Sequence, residues 1–575
     1  TTPDLYTWQN QQYTPPAKEK LFIYELLVRD FTTERTFQAV IDTLPYLQKL
    51  GVNAIELMPV NEFEGNSSWG YNPNYYFAVD KYYGTKNDLK AFIDTCHRRG
   101  IAVILDVVYN HSFGTSPYVL LYWDESQNRP AANSPYYNMV EKHDFNVGFD
   151  FNHESQATRQ YISRAIKFWL EEYRVDGFRF DLSKGFTQKN TLGNVSGWGQ
   201  YDASRVAILQ AYADTVWSVN PDAFVILEHF AENTEEKALS DRGMMLWGNL
   251  NHQYTESAMG YHGNGKSDFS SIDFHQRGWS SPTLIGYMES HDEERMIYKC
   301  LNWGNKTSFY DITRIDTALQ RGQLSAAFFF TIPGPKMIWQ FGELGYDYTI
   351  DFNGRTGEKP VRWDYYQNPG RQNLYNLYAS LSALRAEESL FSTGKPKLNV
   401  AGAIKRIGLQ SPEMNAVVIG NFGVQRATAT PSFPHTGTWY DFFSGDSLVV
   451  TDTAISITLT PGEYHLFLDQ HRIPSYPVQP VWKILPETPK GIGSIFPNPT
   501  PGNLNLMLNA GSEIQGEMLV EVFDPIGRLV SEVTLLVREQ QLVSLSDVGN
   551  TLNTGVYLFR FTYGEISEII KVVVY

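Results

Sequence analysis

Cysteine is almost absent: Cys96 and Cys300 are the only two in 575 residues, so no disulfide framework supports the fold. Long apolar runs are missing too. No stretch of 18 or more apolar residues occurs, and with it goes the sequence signature of a membrane-crossing helix. The opening "TTPDLYTWQNQQYTPP" lacks the basic start and apolar centre of a signal peptide and reads as a Pro-rich linker over 1–19. Positive charge is in deficit, with a net charge of −16. That argues against nucleic acid or an anionic membrane as partner, since both need a basic field. No Ser or Cys nucleophile motif, phosphate-cradling glycine loop or Cys-rich metal pair is found, and no organic cofactor is expected.

Aromatic residues, by contrast, reach 14% of the chain, enough to fill a large core or to supply stacking surfaces for flat ligand faces. The length predicts two to four domains. From about residue 20 to 395 short apolar segments alternate with amphipathic helical stretches. "LFIYELLV", "NAIELMPV", "IAVILDVV", "VDGFRFDL", "AFVILEHF", "LIGYMES" and "KMIWQFG" are the strands, with a weaker one near "MMLWGN". Helices are expected over 34–50, 86–100, 155–174, 200–219 and 312–330. This βαβα rhythm predicts an α/β fold, a (β/α)8 TIM barrel, with a long loop after strand 3 (about 112–154) as an inserted domain. Beyond it the pattern is β only. An antiparallel β-sandwich is expected over 396–470, a Pro-rich linker over 471–490, and a second β module over 491–575.

In "VDGFRFDLSKG", residues 175–185, a period of two puts Gly177, Arg179 and Asp181 on one strand face. Polar residues recur at the ends of other strands: Asp106, Asn110 and His111; Glu228; His291 and Asp292. In a parallel barrel this is the end where active sites assemble. Paired carboxylates, here accompanied by two histidines and an arginine, suit glycoside cleavage, one carboxylate as nucleophile or base and another as acid. An arginine beside Asp181 favours its ionised form, while a carboxyl set between "VIL" and "HF", as Glu228 is, is placed to have its pKa raised by desolvation.

"DVVYNH", "GFRFDLSKG", "VILEHF" and "ESHDEER", in that order, resemble the four signature regions of glycoside hydrolase family 13, the α-amylase family, over about residues 20–470. The resemblance implies retaining cleavage of α-glucans. By position, Asp181 is the implied nucleophile, Glu228 the general acid/base and Asp292 the third carboxylate. Arg179 would orient Asp181, Asp106 would orient the base of the site, and His111 and His291 would bind sugar hydroxyls. Tyr71, in "SSWGYNPNYY", matches the family's stacking tyrosine, with Trp69 beside it. A retaining enzyme predicts Asp181 and Glu228 carboxyls about 5–5.5 Å apart. Structural Ca2+ is the one metal implied, with Asn110, Asp144 and Asp150 as ligands, although "LSKG" lacks the histidine that many calcium-dependent members carry after the nucleophile. "WGYNPNYYF" and "SHDEER" look more like the branching and debranching subgroups. The expectation is an endo-acting α-1,4 hydrolase of starch-like polysaccharides, with α-1,6 debranching or glucan branching and transfer as the alternative.

The last module, with "SIFPNPTPG", "VEVFDPIGRLV" and "GVYLFRF", resembles the sorting domain of the type IX secretion pathway of Bacteroidetes-type bacteria. It implies the secretion machinery as a partner and a secreted or cell-surface location. A monomer is expected.

Overall fold

In this computed structural model the described residues are 5–479, 493–496, 498, 500, 504–508, 516–537, 542–563 and 566–575. Eight parallel strands close into a barrel: β1 (Phe22–Leu26), β2 (Ala54–Leu57), β3 (Ala102–Val107), β4 (Gly177–Phe180), β5 (Phe224–Leu227), β6 (Met245–Asn249), β7 (Leu284–Tyr287) and β8 (Lys336–Trp339). Each is followed by a helix: α1 (Phe37–Leu50), α2 (Lys86–Arg98), α3 (Gln156–Tyr173), α4 (Ala203–Val219), α5 (Asn233–Ser240), α6 (Asn251–Met259), α7 (Ile315–Thr331) and α8 (Pro369–Glu387). The helices begin where short polar side chains satisfy free N–H groups. Thr36 accepts from Ala39 N at the start of α1, Thr85 and Asp88 form a capping box on α2, and Asp202 accepts from Ser204 and Arg205 on α4. The helical periodicity therefore overshoots α1 and α4 by about three residues at their starts, because a cap and its flank share the polar pattern of a first turn.

The barrel interior is divided along its axis. Leu21, Ile23, Ala54, Ala102, Ile104, Phe224, Ile226 and Met245 pack as a dry cluster. One residue pair further along the same inward faces stand Glu25, Glu56, Asp106 and Arg179, all buried. Gly177 makes the close approach of β4 to β5 possible: a Cβ there would lie 2.3 Å from the Phe224 carbonyl oxygen.

Residues 5–16 are docked against the barrel. Asp94 of α2 accepts from Tyr6 Oη, Gln9 N and Asn10 N at 3.0, 2.7 and 2.9 Å. Tyr13 stacks on His97 at 4.1 Å and packs onto the apolar cluster inside the barrel. Between β3 and α3 the inserted segment is built from short pieces. A two-residue ladder joins His111–Ser112 to Phe149–Asp150, and a hairpin pairs Trp123–Asp124 with Arg129–Pro130.

After α8 comes a six-stranded antiparallel sheet with a small two-stranded partner, spanning Lys397 to Leu468 around Val417, Ile419, Trp439 and Leu459. Arg321 of α7 ties this sandwich to the barrel by donating to the carbonyls of Ala258, Ser257, Asn421, Phe422 and Gly423. The expected linker 471–490 is partly anchored: Tyr476 N donates to Ser380 Oγ, and Asn373 and Asn376 of α8 donate to the carbonyls of Gln479 and Pro477. The rest of that stretch lies outside the described residues. The chain divides into two units, Thr1–Gln479 and Pro480–Tyr575. In the second, a three-stranded and a four-stranded antiparallel sheet enclose Leu506, Val520, Val522, Phe559, Phe561 and Val572. The "PNPT" element falls partly outside the described residues.

Candidate active site

Arg179 is the hub of the polar end of the barrel. Projecting inward from β4 and fully buried, its Nη1 donates to both oxygens of Asp106 at 2.9 and 2.8 Å and to Asp181 Oδ1 at 3.0 Å. Its Nη2 lies 2.9 Å from Glu228 Oε2, an ion pair with the N–H direction off the oxygen. The guanidinium stacks over Trp247 of β6 at 4.0 Å. One cation thus faces three carboxylates from three adjacent strand ends. Asp181 and Glu228 keep side-chain exposures of 13 and 15%, so they face the cleft, whereas Asp106 at 1% is the floor. Burial pushes Asp181 well above the usual carboxylate range, Arg179 opposes it, and Glu228 and Asp106 push the same way as burial. Asp106, also raised by burial and opposed by Arg179, shares that guanidinium with Asp181. Leu182 N also donates to Glu228 Oε2 at 2.9 Å. This fixes the Glu228 carboxyl through a turn in which Leu182 adopts a left-handed φ of 43°, a conformation that costs a non-glycine residue energy and recurs at functional sites.

The opposite wall comes from the loop after β7. His291 Nδ1 is 2.5 Å from Glu25 Oε1, and His291 N donates to Glu25 Oε2 at 3.0 Å. Its Nε2 stands 3.5 Å from Asp292 Oδ2. Burial alone would lower the ring's pKa, but Asp292 and Glu25 more than reverse it and raise it to about 10. Asp292 is likewise raised by burial but held below the ordinary carboxylate range by His291, Arg179 and Arg355. Tyr71 stacks on His291 at 5.0 Å and donates to Asp106 Oδ2 at 2.6 Å. Trp69 meets the same ring edge-on at 5.4 Å and is 6% exposed, packed with Met58 and Trp339. His111 Nε2 donates to the Tyr71 carbonyl at 2.8 Å; burial lowers its pKa to about 4, so the ring is neutral.

The structure thus brings Asp106, His111, Arg179, Asp181, Glu228, His291, Asp292, Tyr71 and Trp69 together at one end of the barrel. The three calcium candidates each have a protein partner. Asn110 Oδ1 faces His143 Nε2 at 3.3 Å. Asp144 is exposed and accepts Gly193 N on both oxygens, at 2.9 and 3.1 Å. Asp150 Oδ2 accepts Asn138 Nδ2 at 2.8 Å, while its Oδ1 is buried with no hydrogen-bond partner. Calcium takes six to eight oxygen ligands, and of the three candidates Asp150 alone offers a buried, uncommitted oxygen. Among the described residues no group of three or more His, Cys, Asp or Glu is placed to hold a metal.

Sequence reasoning missed Glu25, Glu56, Trp247 and Arg355. Glu56, on β2, is fully buried and neither carboxyl oxygen has a hydrogen-bond partner; burial pushes its pKa well above the usual carboxylate range. Arg355, on the loop after β8, donates to the Asp292 carbonyl and to its carboxylate at 2.8 and 3.2 Å. The available signal was the period of two: Glu25 and Glu56 share the faces of Ile23 and Ala54.

A closed parallel barrel that gathers carboxylates, an arginine and sugar-sized aromatic walls at the ends of its strands defines a glycoside hydrolase. The α-amylase catalytic-domain family model matches residues 30–147 and 136–373, and the chain belongs to that family. A second model, the secretion system C-terminal sorting domain, matches 494–575 and marks a secreted or cell-surface protein of a Bacteroidetes-type bacterium. The chain is 36% identical to a malto-oligosyltrehalose trehalohydrolase of Saccharolobus solfataricus over 31% of its own length and 30% of that protein's. It is 26% identical to a cyclomaltodextrinase of a Bacillus species over 63 and 61%, and 25% identical to a 1,4-alpha-glucan branching enzyme of Aliivibrio fischeri over 66 and 53%. It spans under two thirds of the length of each. Among solved structures, an Anoxybacillus alpha-amylase shares the fold with a TM-score of 0.63 at 18% identity, covering 79% of this chain and 98% of that one.

Proposed function

We propose that this enzyme is an endo-acting α-amylase that cuts α-1,4 bonds of starch-like polysaccharides by double displacement. The observation that carries the reading is the attachment of Asp181 and Glu228 to the two ends of one buried guanidinium, with both carboxyls open to the cleft. Asp181 attacks the anomeric carbon and forms the glycosyl-enzyme. Glu228 protonates the departing oxygen, then takes a proton from water as that water hydrolyses the intermediate. Asp292, anionic beside His291, grips hydroxyls of the sugar at the cleavage point. Three carboxylates share one cation, and burial works against the charged forms of Asp106 and Asp181; an acid-plus-nucleophile pair needs one carboxyl protonated and one ionised. Location outside the cell fits a depolymerase.

The test is product analysis on amylose, pullulan and cyclodextrin, with the anomeric configuration of fresh products read by NMR. Short maltooligosaccharides released early from amylose with retained α-configuration are expected. Absence of new reducing ends from all three substrates would overturn hydrolysis. The second reading, branching or transfer, is favoured by the branching-enzyme likeness over 66% of the chain. It predicts an iodine-stain shift without reducing ends. Cleavage of pullulan alone would instead assign α-1,6 debranching.

A further inference from the structure

His291 is held by a residue 266 positions away in the chain. Glu25 ends β1, is fully buried, and spends both carboxyl oxygens on one partner, the backbone N–H and Nδ1 of His291. A carboxylate at 2.5 Å from Nδ1 demands a proton there. Nε2 is the ring's other nitrogen and lies toward Asp292 and the cleft. A ring fixed in this way has only one setting. Tyr71 stacks on one side and Trp69 abuts it edge-on, so rotation is blocked as well.

We propose that Glu25 is a positioning residue for glycoside cleavage: with its carboxylate at Nδ1 and that of Asp292 toward Nε2, it fixes the His291 ring in its doubly protonated form, so that Nε2–H donates to Asp292 and to the hydroxyl of the sugar bound between them. The proposal rests on the α-glucan reading for the identity of that sugar. Its electrostatics do not.

The groups facing His291 come from every neighbouring element. Glu25 and Asp292 raise its proton affinity, while Arg179 of β4 lowers it. Glu293, in the same loop, carries a pKa raised to about 7 by burial. Glu56 of β2 has its pKa pushed well above the usual carboxylate range by burial, and Tyr71 offers its hydroxyl 3.5 Å from Nδ1. Of the anions, Glu25 alone contacts the ring within 3 Å. A nearby opposite charge moves a pKa by about 1–3 units, so replacing Glu25 by its neutral isostere brings His291 into the working range.

The experiment follows pH-dependent deuterium exchange at the His291 ring C2–H by mass spectrometry of the peptide that carries it. The full-length protein is used, together with Glu25→Gln, and kcat/KM is followed against pH on soluble starch. In the unaltered enzyme the exchange inflection of His291 is expected at pH 9 or above. In E25Q the inflection drops by about 1–3 units and kcat/KM gains a new alkaline limb at the same pH. Activity near pH 5, where the ring is protonated in both, falls much less. An inflection near 6.5 in the unaltered enzyme overturns the proposal, and this reading needs no variant to fold. A folded E25Q with unchanged inflection and unchanged pH profile overturns it too. The exchange is measured without substrate, so its failure is separate from failure of the glucan reading, which product analysis decides.

Discussion

Replacing Arg179 by leucine removes the cation that, among the described residues, alone contacts Asp106, Asp181 and Glu228. At the 3.0 Å separation from Asp181 and an effective dielectric of about 20, that pair alone is worth about 5 kcal/mol. Asp181 is already pushed up by burial and restrained by Arg179, so loss of the guanidinium drives Asp181 further toward its protonated, non-nucleophilic form. With each 1.36 kcal/mol worth a factor of ten, glycosyl-enzyme formation should slow by about 10³–10⁴. Stability should fall by about 3–5 kcal/mol, the cost of leaving buried charges unpaired. The pH dependence has a definite sign. A carboxyl whose folded pKa exceeds its unfolded value contributes stability below the unfolded value, about 3.9 for Asp, and loses it as pH rises through the folded one. The variant raises Asp181 and Asp106 further, so its Tm deficit against the parent should be small near pH 4.5 and large at pH 8. The assay is kcat/KM on soluble starch with thermal unfolding at both pH values. A folded R179L within tenfold of parental kcat/KM, with an equal Tm deficit at both pH values, would refute the reasoning.

Gly177→Ala should cost about 3 kcal/mol or more in urea unfolding, since its Cβ would sit 2.3 Å from Phe224 O and force β4 from β5; an unchanged midpoint would contradict that contact. Lys359 Nζ gathers the carbonyls of Phe352, Gly354, Arg355 and Gly357 at 2.9, 2.7, 3.0 and 2.8 Å, and so shapes the loop that brings Arg355 to Asp292. Lys359→Met, which leaves those carbonyls without their donor at about 1–3 kcal/mol each where they stay buried, should raise KM about tenfold and alter kcat little; steady-state kinetics decides. Chelation by EDTA should leave both Tm and activity unchanged, because Asp150 Oδ1 is the one oxygen of the Asn110, Asp144 and Asp150 side chains without a partner among the described residues, against the six to eight that calcium takes; a fall in Tm restored by calcium would show the opposite.

The barrel was legible because its strands are short apolar runs spaced by amphipathic stretches, and the catalytic set because each member stands at or just past a strand end, where polarity breaks the run. Even β6, weak in propensity with its Trp-Gly-Asn ending, was placed by rhythm. What stayed hidden was of two kinds. Glu25 and Glu56 sit inside "LFIYELLV" and "NAIELMPV", where the surrounding side chains read as dry core; Glu25 finds its reason only in His291, 266 positions away, and Glu56 has no hydrogen-bond partner to supply one. Arg355 and the docked N-terminal segment depend on contacts between distant stretches. Nothing in "TTPDLYTWQNQQYTPP" announces that Asp94 will collect three of its donors, and a Pro-rich composition describes stiffness rather than attachment. The calcium expectation came from resemblance at Asn110, and His143, which faces that amide, lies within a loop whose path local pattern does not fix.

The docked segment has one more consequence. With Tyr13 packed on the apolar cluster, a segment that precedes the first strand takes part in the barrel's own core. Removing residues 5–16 would therefore uncover apolar side chains inside the barrel as well as free Asp94, and its cost would fall on the stability of the scaffold that holds Arg179 and its carboxylates.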